Sequence, residues 1–258
     1  GCITNYGKAH MEGFGGVQGI IKGKSELYTY LLKHQKTILY NDQDPIQVEK
    51  TKGFKQRLSF GQNSDSNFKT ATIESEKATL SFEFENLIID TQLYGDYNAT
   101  NCMIAAAIGA HYAVPLSDIE KAISNYIPNN NRSEIREIGS HQIILDAYNA
   151  NPSSMTAALK HFAKINTKLP KVVILGDMFE LGERAIEEHQ EIVSLLESLA
   201  FDRVILVGKL FAVINHSFES HPSFESVKKD QLVMNSSMIL IKGSRGMALE
   251  RLLPILDH

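Results

Sequence analysis

The chain has 258 residues, of which 43% are hydrophobic and 22% are charged, and its formal net charge is −4. This composition is typical of a globular protein with one large or two ordinary domains, and the lack of basic runs argues against a nucleic-acid or anionic-membrane surface. Two cysteines are too few for a disulfide framework or a cysteine-based zinc site, and no apolar run approaches transmembrane length. We therefore expect a cytoplasmic protein with no nucleic-acid and no membrane partner.

The chain opens Gly-Cys-Ile-Thr-Asn-Tyr-Gly with no initiator methionine, and Cys2-Ile3-Thr4 predicts a strand with no residues leading into it. Natural domains rarely begin at the first residue of a core strand. We therefore expect the chain to be a piece of a longer protein.

A helix is predicted over about residues 16–33, and it contains Gly23-Lys24-Ser25, which has the letters that end a phosphate-binding loop. Such a loop needs a glycine where this chain has Gln18, so the spacing excludes it. Lys24 instead falls on the apolar stripe of the helix, which comprises Val17, Ile20, Ile21, Leu27, Tyr28 and Leu31. One interpretation is that its amine extends along the stripe to water. The other is that burial lowers the pKa of Lys24 and leaves a neutral amine for chemistry.

His10 lies in a glycine-rich loop ahead of that helix. A lone loop histidine is commonly structural or solvated. Beside a buried lysine it can share a cation, provided that the lysine is modified, because Mg²⁺ prefers oxygen ligands. A neutral amine can add CO₂ to form a carbamate, which supplies two such oxygens.

The middle of the chain predicts a strand at Lys-Thr-Ile-Leu-Tyr, then antiparallel strands with polar turns over residues 52–93. Two helices follow, the first from Asn98 and the second after Pro115, with a capping box from Ser117 to Glu120. The polar stretch Ile-Pro-Asn-Asn-Asn-Arg-Ser-Glu then predicts a linker between two domains.

Asn98 and Asn101 lie one helical turn apart at the start of the first of these helices. Their amides can read both the donor and the acceptor edge of a base. The alternative is an N-cap residue followed by a solvated polar side chain.

After the linker, strands alternate with helices. His-Gln-Ile-Ile-Leu-Asp-Ala-Tyr predicts a strand, and Asn151-Pro152 predicts a helix with proline at its favoured first position. Three continuous apolar runs follow, at residues 171–175, 203–207 and 238–242, each before a glycine-containing turn. This alternation indicates a parallel sheet covered on both faces, and ligands bind such sheets beyond the carboxyl ends of the strands.

Two polar clusters lie near these strand ends. Arg132 and Asp146 can clamp a phosphate and a ribose, or they can form an ordinary interdomain ion pair. Lys242, Ser244 and Arg245 lie at the mouth of a helix, where backbone amides, a hydroxyl and a guanidinium together suit a carboxylate or phosphate. In the alternative interpretation, Ser244 only caps a helix.

Other chemistry-bearing residues give weaker signals. The acidic loop at residues 177–183 has no metal or acid–base spacing, and His189 lies on the apolar face of the next helix, so we expect a core histidine there. No nucleophile elbow, zincin motif or dinucleotide fingerprint is present in the sequence.

Six segments, in this order, together resemble the Mur ligases: TNYGKAHMEGFGG with KGKSELY, YGDYNATNCMIAAAIG, NRSE, LDAYNANPSSMTAAL, LGDMFELGERAIEEH and IKGSRGMALERLL. The resemblance covers nearly the whole chain. It implies an α/β fold in which residues 1–130 are the C-terminal part of a central ATPase domain, a mixed sheet with helices. Residues 131–258 would then be a Rossmann-like C-terminal domain with a mostly parallel sheet.

The resemblance also implies a reaction, that of the family member that adds a D-Ala-D-Ala dipeptide in peptidoglycan precursor synthesis. ATP phosphorylates the terminal carboxylate of UDP-N-acetylmuramoyl tripeptide, and the amine of D-Ala-D-Ala attacks the acyl phosphate to leave an amide, ADP and phosphate. The expected cofactors are ATP and Mg²⁺, and we expect a monomer.

By resemblance, His10 and a carbamylated Lys24 are catalytic and hold the metal. The adenine would contact Asn98 and Asn101, and ATP would also be held by Arg132 and Asp146. The residues implied for substrate binding are Tyr148, Asn149, Asn151, Ser244 and Arg245.

The chain departs from the family pattern in two respects. Tyr97 stands where the family usually has histidine before the two asparagines. The UDP-binding domain, the phosphate loop and a metal-binding glutamate should all precede residue 1, so we expect that this chain cannot catalyse ligation alone.

Other functions stay open. One is a ligase of the Mur or folylpolyglutamate type with a different amine substrate. Another is a non-catalytic, truncated module that binds nucleotide or D-Ala-D-Ala.

Overall fold

The computed structural model describes residues 1–8, 10–228, 232 and 235–257. The chain divides into two units, and each has its own sheet. The first unit comprises Gly1–Ser75, Thr79–Gln92 and Asp96–Tyr126, and the second comprises Glu76–Ala78, Leu93–Gly95 and Ile127–His258. Over the described residues, no helix is both long enough and apolar enough to cross a membrane.

The first unit is a mixed sheet with helices. Its strands are β1 (Ile38–Asn41), β2 (Arg57–Gly61), β3 (Phe68–Ile73), β4 (Thr79–Phe84) and β5 (Leu87–Tyr94). Its helices are α1 (Met11–Phe14), α2 (Val17–Lys33), α3 (Pro45–Thr51), α4 (Ala99–His111) and α5 (Leu116–Ser124). The sheet order follows the chain from β1 to β5, and the helix predicted over residues 16–33 is confirmed as α2, with Gly23-Lys24-Ser25 inside it.

The prediction of antiparallel strands over residues 52–93 is right for β3 and β4 but wrong for β2 and β3. The latter two pair in parallel at Phe60–Phe68 and Gly61–Lys69. Alternation of apolar and polar residues specifies which face of a sheet a side chain occupies, but it does not specify the direction of the neighbouring strand. A parallel pairing of two residues therefore leaves no trace in the pattern.

The predicted capping box from Ser117 to Glu120 is also wrong. α5 begins at Leu116, and Pro115 is its N-cap residue. The carbonyl of Pro115 already accepts from the amides of Asp118 and Ile119, at 3.0 and 3.1 Å. The fixed φ of proline presets this turn, so the helix starts before Ser117 can cap it.

The second unit has the predicted parallel sheet. Its strands are β6 (Glu134–Ile138), β7 (His141–Asp146), β8 (Lys171–Gly176), β9 (Arg203–Val207), β10 (Glu219–His221) and β11 (Met238–Lys242). Its helices are α6 (Pro152–Lys164), α7 (Ala185–Ser198), α8 (Lys209–Ala212) and α9 (Leu253–Leu256). The order is β10-β9-β8-β11-β7-β6, and β6 runs antiparallel to β7 while the other neighbours are parallel.

The three continuous apolar runs are the central strands of this sheet. Val173, Ile205 and Leu240 are each fully buried, as expected for strands covered on both faces. Because β7, β8, β9 and β11 are parallel, their carboxyl ends meet at one edge of the sheet. That edge carries the candidate residues of the second unit.

Candidate functional site

Ser244 ties together three loops at the carboxyl edge of the second sheet. Its amide donates to the carbonyl oxygen of Asp177 at 3.1 Å, and its hydroxyl accepts from the amide of Phe179 at 2.8 Å. The same hydroxyl donates to the carbonyl oxygen of Ala150 at 3.5 Å. Ser244 is 4% exposed, so its side chain joins the loops after β7 and β8 to the end of β11.

The backbones at this edge approach one another closely. A Cβ atom at Gly243 would lie 3.0 Å from the Cα atom of Gly176, and one at Gly208 would lie 2.2 Å from the Asp177 carboxyl carbon. Gly208 also has a φ of +139°, which other residues rarely adopt. These glycines allow the strand ends to meet around the candidate site.

Asp146 and Lys242 form a buried ion pair at the ends of β7 and β11. They are register partners on neighbouring parallel strands, and Nζ of Lys242 donates to Oδ2 of Asp146 at 2.5 Å. The amide of Ser133 donates to Oδ1 of Asp146 at 3.1 Å. Lys242 is therefore turned into the protein, because the strand register sets it against a carboxylate.

Arg132, Tyr148 and Arg245 come together on the outside of that pair. The guanidinium carbon of Arg132 lies 3.6 Å from the Tyr148 ring centroid, and that of Arg245 lies 5.7 Å from it. Nη1 of Arg245 also lies 3.9 Å from Oε1 of Glu250. Two cations from distant segments thus share one aromatic ring, an arrangement that offers an anion two donors at once.

The loop between β7 and α6 carries the other predicted substrate residues. Tyr148 and Asn149 are exposed, and Asn151 is the N-cap residue of α6. The side-chain oxygen of Asn151 accepts from the amide of Ser154 at 3.0 Å, so it is engaged in a capping box. The predicted helix start with Pro152 is confirmed.

A groove of about 500 Å³ opens at the same edge. Phe179, Leu210, Phe224 and Met247 supply apolar walls, Lys209 and Arg251 supply cations, and backbone at Gly208 and Gly246 lines it. Arg251 donates to Glu225 at 3.2 Å and lies 3.9 Å from the Phe224 ring centroid. The sequence pointed to the turn that holds Lys209, because it follows an apolar strand, but nothing in the pattern indicated Phe224 or Arg251.

Asp177 and His189 have structural partners beside this groove. The Asp177 carboxylate accepts from the amides of Leu210 and Phe211, at 3.0 and 3.1 Å. His189 is fully buried, accepts from the amide of Met178 and donates to the carbonyl of Ala185. Burial lowers the pKa of His189. The prediction of a core histidine is therefore confirmed.

In the first unit, the amine of Lys24 donates to the carbonyl oxygen of Asn5 at 2.9 Å. The side chain is half-buried, and this burial lowers the pKa of Lys24. Asn5 begins the loop that leads to His10, which is exposed at the start of α1 with a φ of 59°. In the described part of the chain, no three His, Cys, Asp or Glu residues are grouped closely enough to hold a metal ion.

Asn98 is the N-cap residue of α4, and Asn101 is exposed in the first turn of that helix. Both residues thus lie at the N-terminal end of α4, where the sequence predicts them.

Comparison with known protein families decides the classification. The model of the Mur ligase middle domain matches residues 1–109, and that of the Mur ligase glutamate ligase domain matches residues 131–245. The chain belongs to the Mur ligase family.

Two curated relatives show which members of the family the chain is similar to. This Mur ligase chain is 29% identical to the UDP-N-acetylmuramoyl-tripeptide–D-alanyl-D-alanine ligase of Bacillus subtilis (strain 168), covering 97% of the chain and 57% of that relative. It is 27% identical to the ligase of the same name from Escherichia coli (strain K12), covering 99% of the chain and 59% of that relative. The chain thus spans less than three fifths of either relative.

Solved structures agree on the fold. The Mur ligase chain superposes on MurF from Acinetobacter baumannii with a TM-score of 0.81 and 26% identity, covering 99% of the chain and 59% of that structure. For MurF ligase from Thermotoga maritima in complex with ADP, the TM-score is 0.79 and the identity 22%, with 98% and 60% covered. The α/β architecture with two sheets is therefore that of the MurF middle and C-terminal domains.

Proposed function

We propose that this chain is the central and C-terminal part of an ATP-dependent ligase that joins D-Ala-D-Ala to UDP-N-acetylmuramoyl tripeptide. Residues 1–130 would be the partial ATP-binding domain and residues 131–258 the ligase domain, in a monomeric cytoplasmic enzyme. The B. subtilis and E. coli relatives bear the name of this activity. The observation that carries the proposal is the meeting of Arg132, Tyr148 and Arg245 at the carboxyl edge of the sheet.

The proposed reaction has two steps. The γ-phosphoryl group of ATP is transferred to the tripeptide carboxylate, which gives an acyl phosphate and ADP. The amine of D-Ala-D-Ala then attacks the acyl carbon, the tetrahedral intermediate expels phosphate, and the amine loses a proton. The phosphate groups carry negative charge throughout this reaction, so the protein must supply cations and hydrogen-bond donors.

The second unit offers these groups. In the proposal, Arg132 binds the nucleotide phosphates, Asp146 accepts hydrogen bonds from the ribose hydroxyls, and Arg245 binds the anionic peptide. The approach of both guanidinium groups to the Tyr148 ring supports this assignment, because a guanidinium held near a ring is oriented before the ligand arrives. Ser244 and the loop with Asn149 and Asn151 would shape the peptide side of the site.

In the first unit, Asn98 and Asn101 would contact the adenine, and His10 and Lys24 would hold Mg²⁺. The lowered pKa of Lys24 fits this role, because a neutral amine is the form that adds CO₂ to become an oxygen-bearing carbamate. Its hydrogen bond to Asn5 also directs the amine toward the loop of His10. Bound Mg²⁺ would neutralise phosphate charge.

In the proposal, the dipeptide binds in the groove. Its volume of about 500 Å³ exceeds the needs of two alanines, and Phe179 and Met247 can contact the methyl groups. Lys209 or Arg251 can then bind the free carboxylate. Arg245 is adjacent in sequence to Gly246 of the groove wall, so the anion site and the groove are continuous along the chain.

The test is phosphate release from MgATP by the gene product that contains this chain. UDP-N-acetylmuramoyl tripeptide is supplied with and without D-Ala-D-Ala, and Lys24→Ala is run in parallel. We expect release that requires D-Ala-D-Ala, that collapses in Lys24→Ala, and that is partly rescued by a short carboxylate. If phosphate is released only with another amine, that amine is the substrate in place of D-Ala-D-Ala. Nucleotide binding without phosphate release would favour the non-catalytic binding module.

The assignment of the groove to D-Ala-D-Ala is tested by separate variants. Lys209→Met and Arg251→Met should raise the KM for D-Ala-D-Ala and leave the KM for ATP unchanged. Lys160→Met, an exposed lysine on α6, is the matched control. Ligation by the 258-residue chain alone would contradict the proposal that it lacks part of the ATP site.

A further inference from the structure

We infer that Lys242 is a positioning residue of the nucleotide side of the site, a role that it performs through Asp146 and through the main chain at Asn149. This inference rests on the proposed function only for the ligand that Asp146 contacts. Its structural basis is independent of any ligand. Lys242 is 1% exposed, which is rare for a lysine and requires a partner inside the protein.

The sheet register places Lys242 next to Asp146. Lys242 and Asp146 are the last paired residues of β11 and β7, and side chains at paired positions of parallel strands leave the sheet on the same face. The ammonium group lies 2.5 Å from Oδ2 of Asp146 and 3.3 Å from the carbonyl oxygen of Asn149. One cation thus binds both the carboxylate and the loop that presents Tyr148.

The other oxygen of Asp146 is also fixed. Oδ1 accepts from the amide of Ser133, and the carbonyl of Ser133 accepts from the amide of Tyr94 at 3.3 Å. The carboxylate therefore has one charged and one neutral donor on opposite oxygens. A buried carboxylate held by donors on both oxygens has a single orientation, so a ligand hydroxyl would meet it in a fixed geometry.

Other charged groups near Asp146 have their own partners. Glu134 on β6 is the register partner of Leu145 on β7. Its carboxylate accepts from the guanidinium of Arg136 at 2.8 Å and from the amide of Asn131. Arg132 lies on the ring of Tyr148. From β11, the cation that reaches the carboxylate is Lys242.

Loss of the ammonium group should change Asp146 in a defined way. In Lys242→Met, the buried carboxylate loses its charged partner, which favours the protonated form. A protonated carboxyl is a weaker acceptor for hydroxyl groups. Nucleotide affinity should therefore fall at neutral pH and recover as the pH rises and Asp146 ionises.

The experiment follows the backbone amide signal of Ser133 by NMR, together with ADP affinity by calorimetry, from about pH 6 to 9. In Lys242→Met the Ser133 signal should titrate, and its curve should differ from that of the parent chain. ADP affinity of the variant should be roughly 10- to 100-fold weaker at the acidic end and approach that of the parent at the alkaline end. Lys160→Met should match the parent throughout.

The outcomes separate the inference from the proposed function. A Ser133 signal that does not titrate in Lys242→Met, or an affinity lowered equally at every pH, overturns the positioning role. If the Ser133 signal titrates in Lys242→Met but the parent binds no ADP, the result supports the positioning of Asp146 by Lys242. It then removes the assignment of a nucleotide as the ligand of Asp146. If Lys242→Met does not fold, Lys242→Gln replaces it in both measurements, because its neutral amide also removes the charged partner of Asp146. The same outcomes then support or overturn the inference.

Discussion

Arg132 lies on the face of Tyr148, with its guanidinium carbon 3.6 Å from the ring centroid. Arg245 approaches the same ring at 5.7 Å, although 113 positions separate Arg132 from Arg245 in the sequence numbering. An aromatic ring that binds two arginines holds their charges near each other against their mutual repulsion. The ring is therefore expected to prepare the anion site before a ligand binds.

We predict that Tyr148→Leu weakens ADP binding, because each exposed cation–π contact is worth about 0.5–1 kcal/mol and the two guanidinium groups lose their common support. The expected loss is about two- to fivefold per contact, measured by calorimetry on the gene product. Tyr148→Phe keeps the ring and should bind like the parent. Equal losses in both variants would assign the effect to the hydroxyl instead.

Ser244→Ala should destabilise the second unit. The substitution removes the acceptor of the part-buried Phe179 amide, and an intramolecular hydrogen bond of this kind contributes about 0.5–1.5 kcal/mol. The measurement is the free energy of unfolding from denaturant titration. Ser153→Ala, at an exposed position of α6, should change it by less than about 0.5 kcal/mol. A Ser244→Ala variant as stable as this control would show that Phe179 finds another acceptor.

Much of the architecture was predictable because strong periodic signals specify it. The spacing of apolar residues indicated α2 and excluded a phosphate loop at Lys24. Continuous apolar runs indicated the central parallel strands, and the rule that ligands bind at carboxyl ends indicated the edge where Asp146 and Ser244 lie.

What the sequence did not indicate depends on register and on long-range packing. Lys242 and Asp146 are register partners on neighbouring strands, and no local sequence pattern contains that pairing. Arg251 and Phe224 line the groove from segments that are remote in sequence. The pairing of β2 with β3 was missed for a similar reason, because alternation does not encode strand direction.

Lys24 should react with CO₂ at a lower pH than an ordinary lysine, because burial lowers its pKa and leaves more of the amine neutral. With ¹³C-labelled bicarbonate, we expect a carbamate signal in the carbon NMR spectrum of the parent chain. Lys24→Met should abolish it, and Lys22→Met should retain it, since Lys22 is exposed on the same helix. A signal that persists in Lys24→Met would place the reactive amine elsewhere.

His189 should make the stability of the second unit depend on pH. Burial lowers the pKa of His189, and the ring accepts from Met178 while donating to Ala185, a pair of bonds that requires the neutral form. In the unfolded chain the imidazole takes up a proton at about pH 6.5, so the unfolded state binds more protons just below that pH. The contribution of His189 is therefore complete above about pH 6.5 and is lost as the pH falls toward the lowered folded-state pKa, at no more than about 1.4 kcal/mol per pH unit.

The measurement is the free energy of unfolding between about pH 7 and 5 for the parent, His189→Gln and the exposed control His111→Gln. His189→Gln should be less stable at neutral pH, because it replaces a fully buried ring, but its curve should be flatter. The residual slope should come partly from His141, whose pKa burial also lowers. Parallel curves for the parent and His189→Gln would contradict the prediction, because they would mean that His189 adds nothing to the dependence of stability on pH.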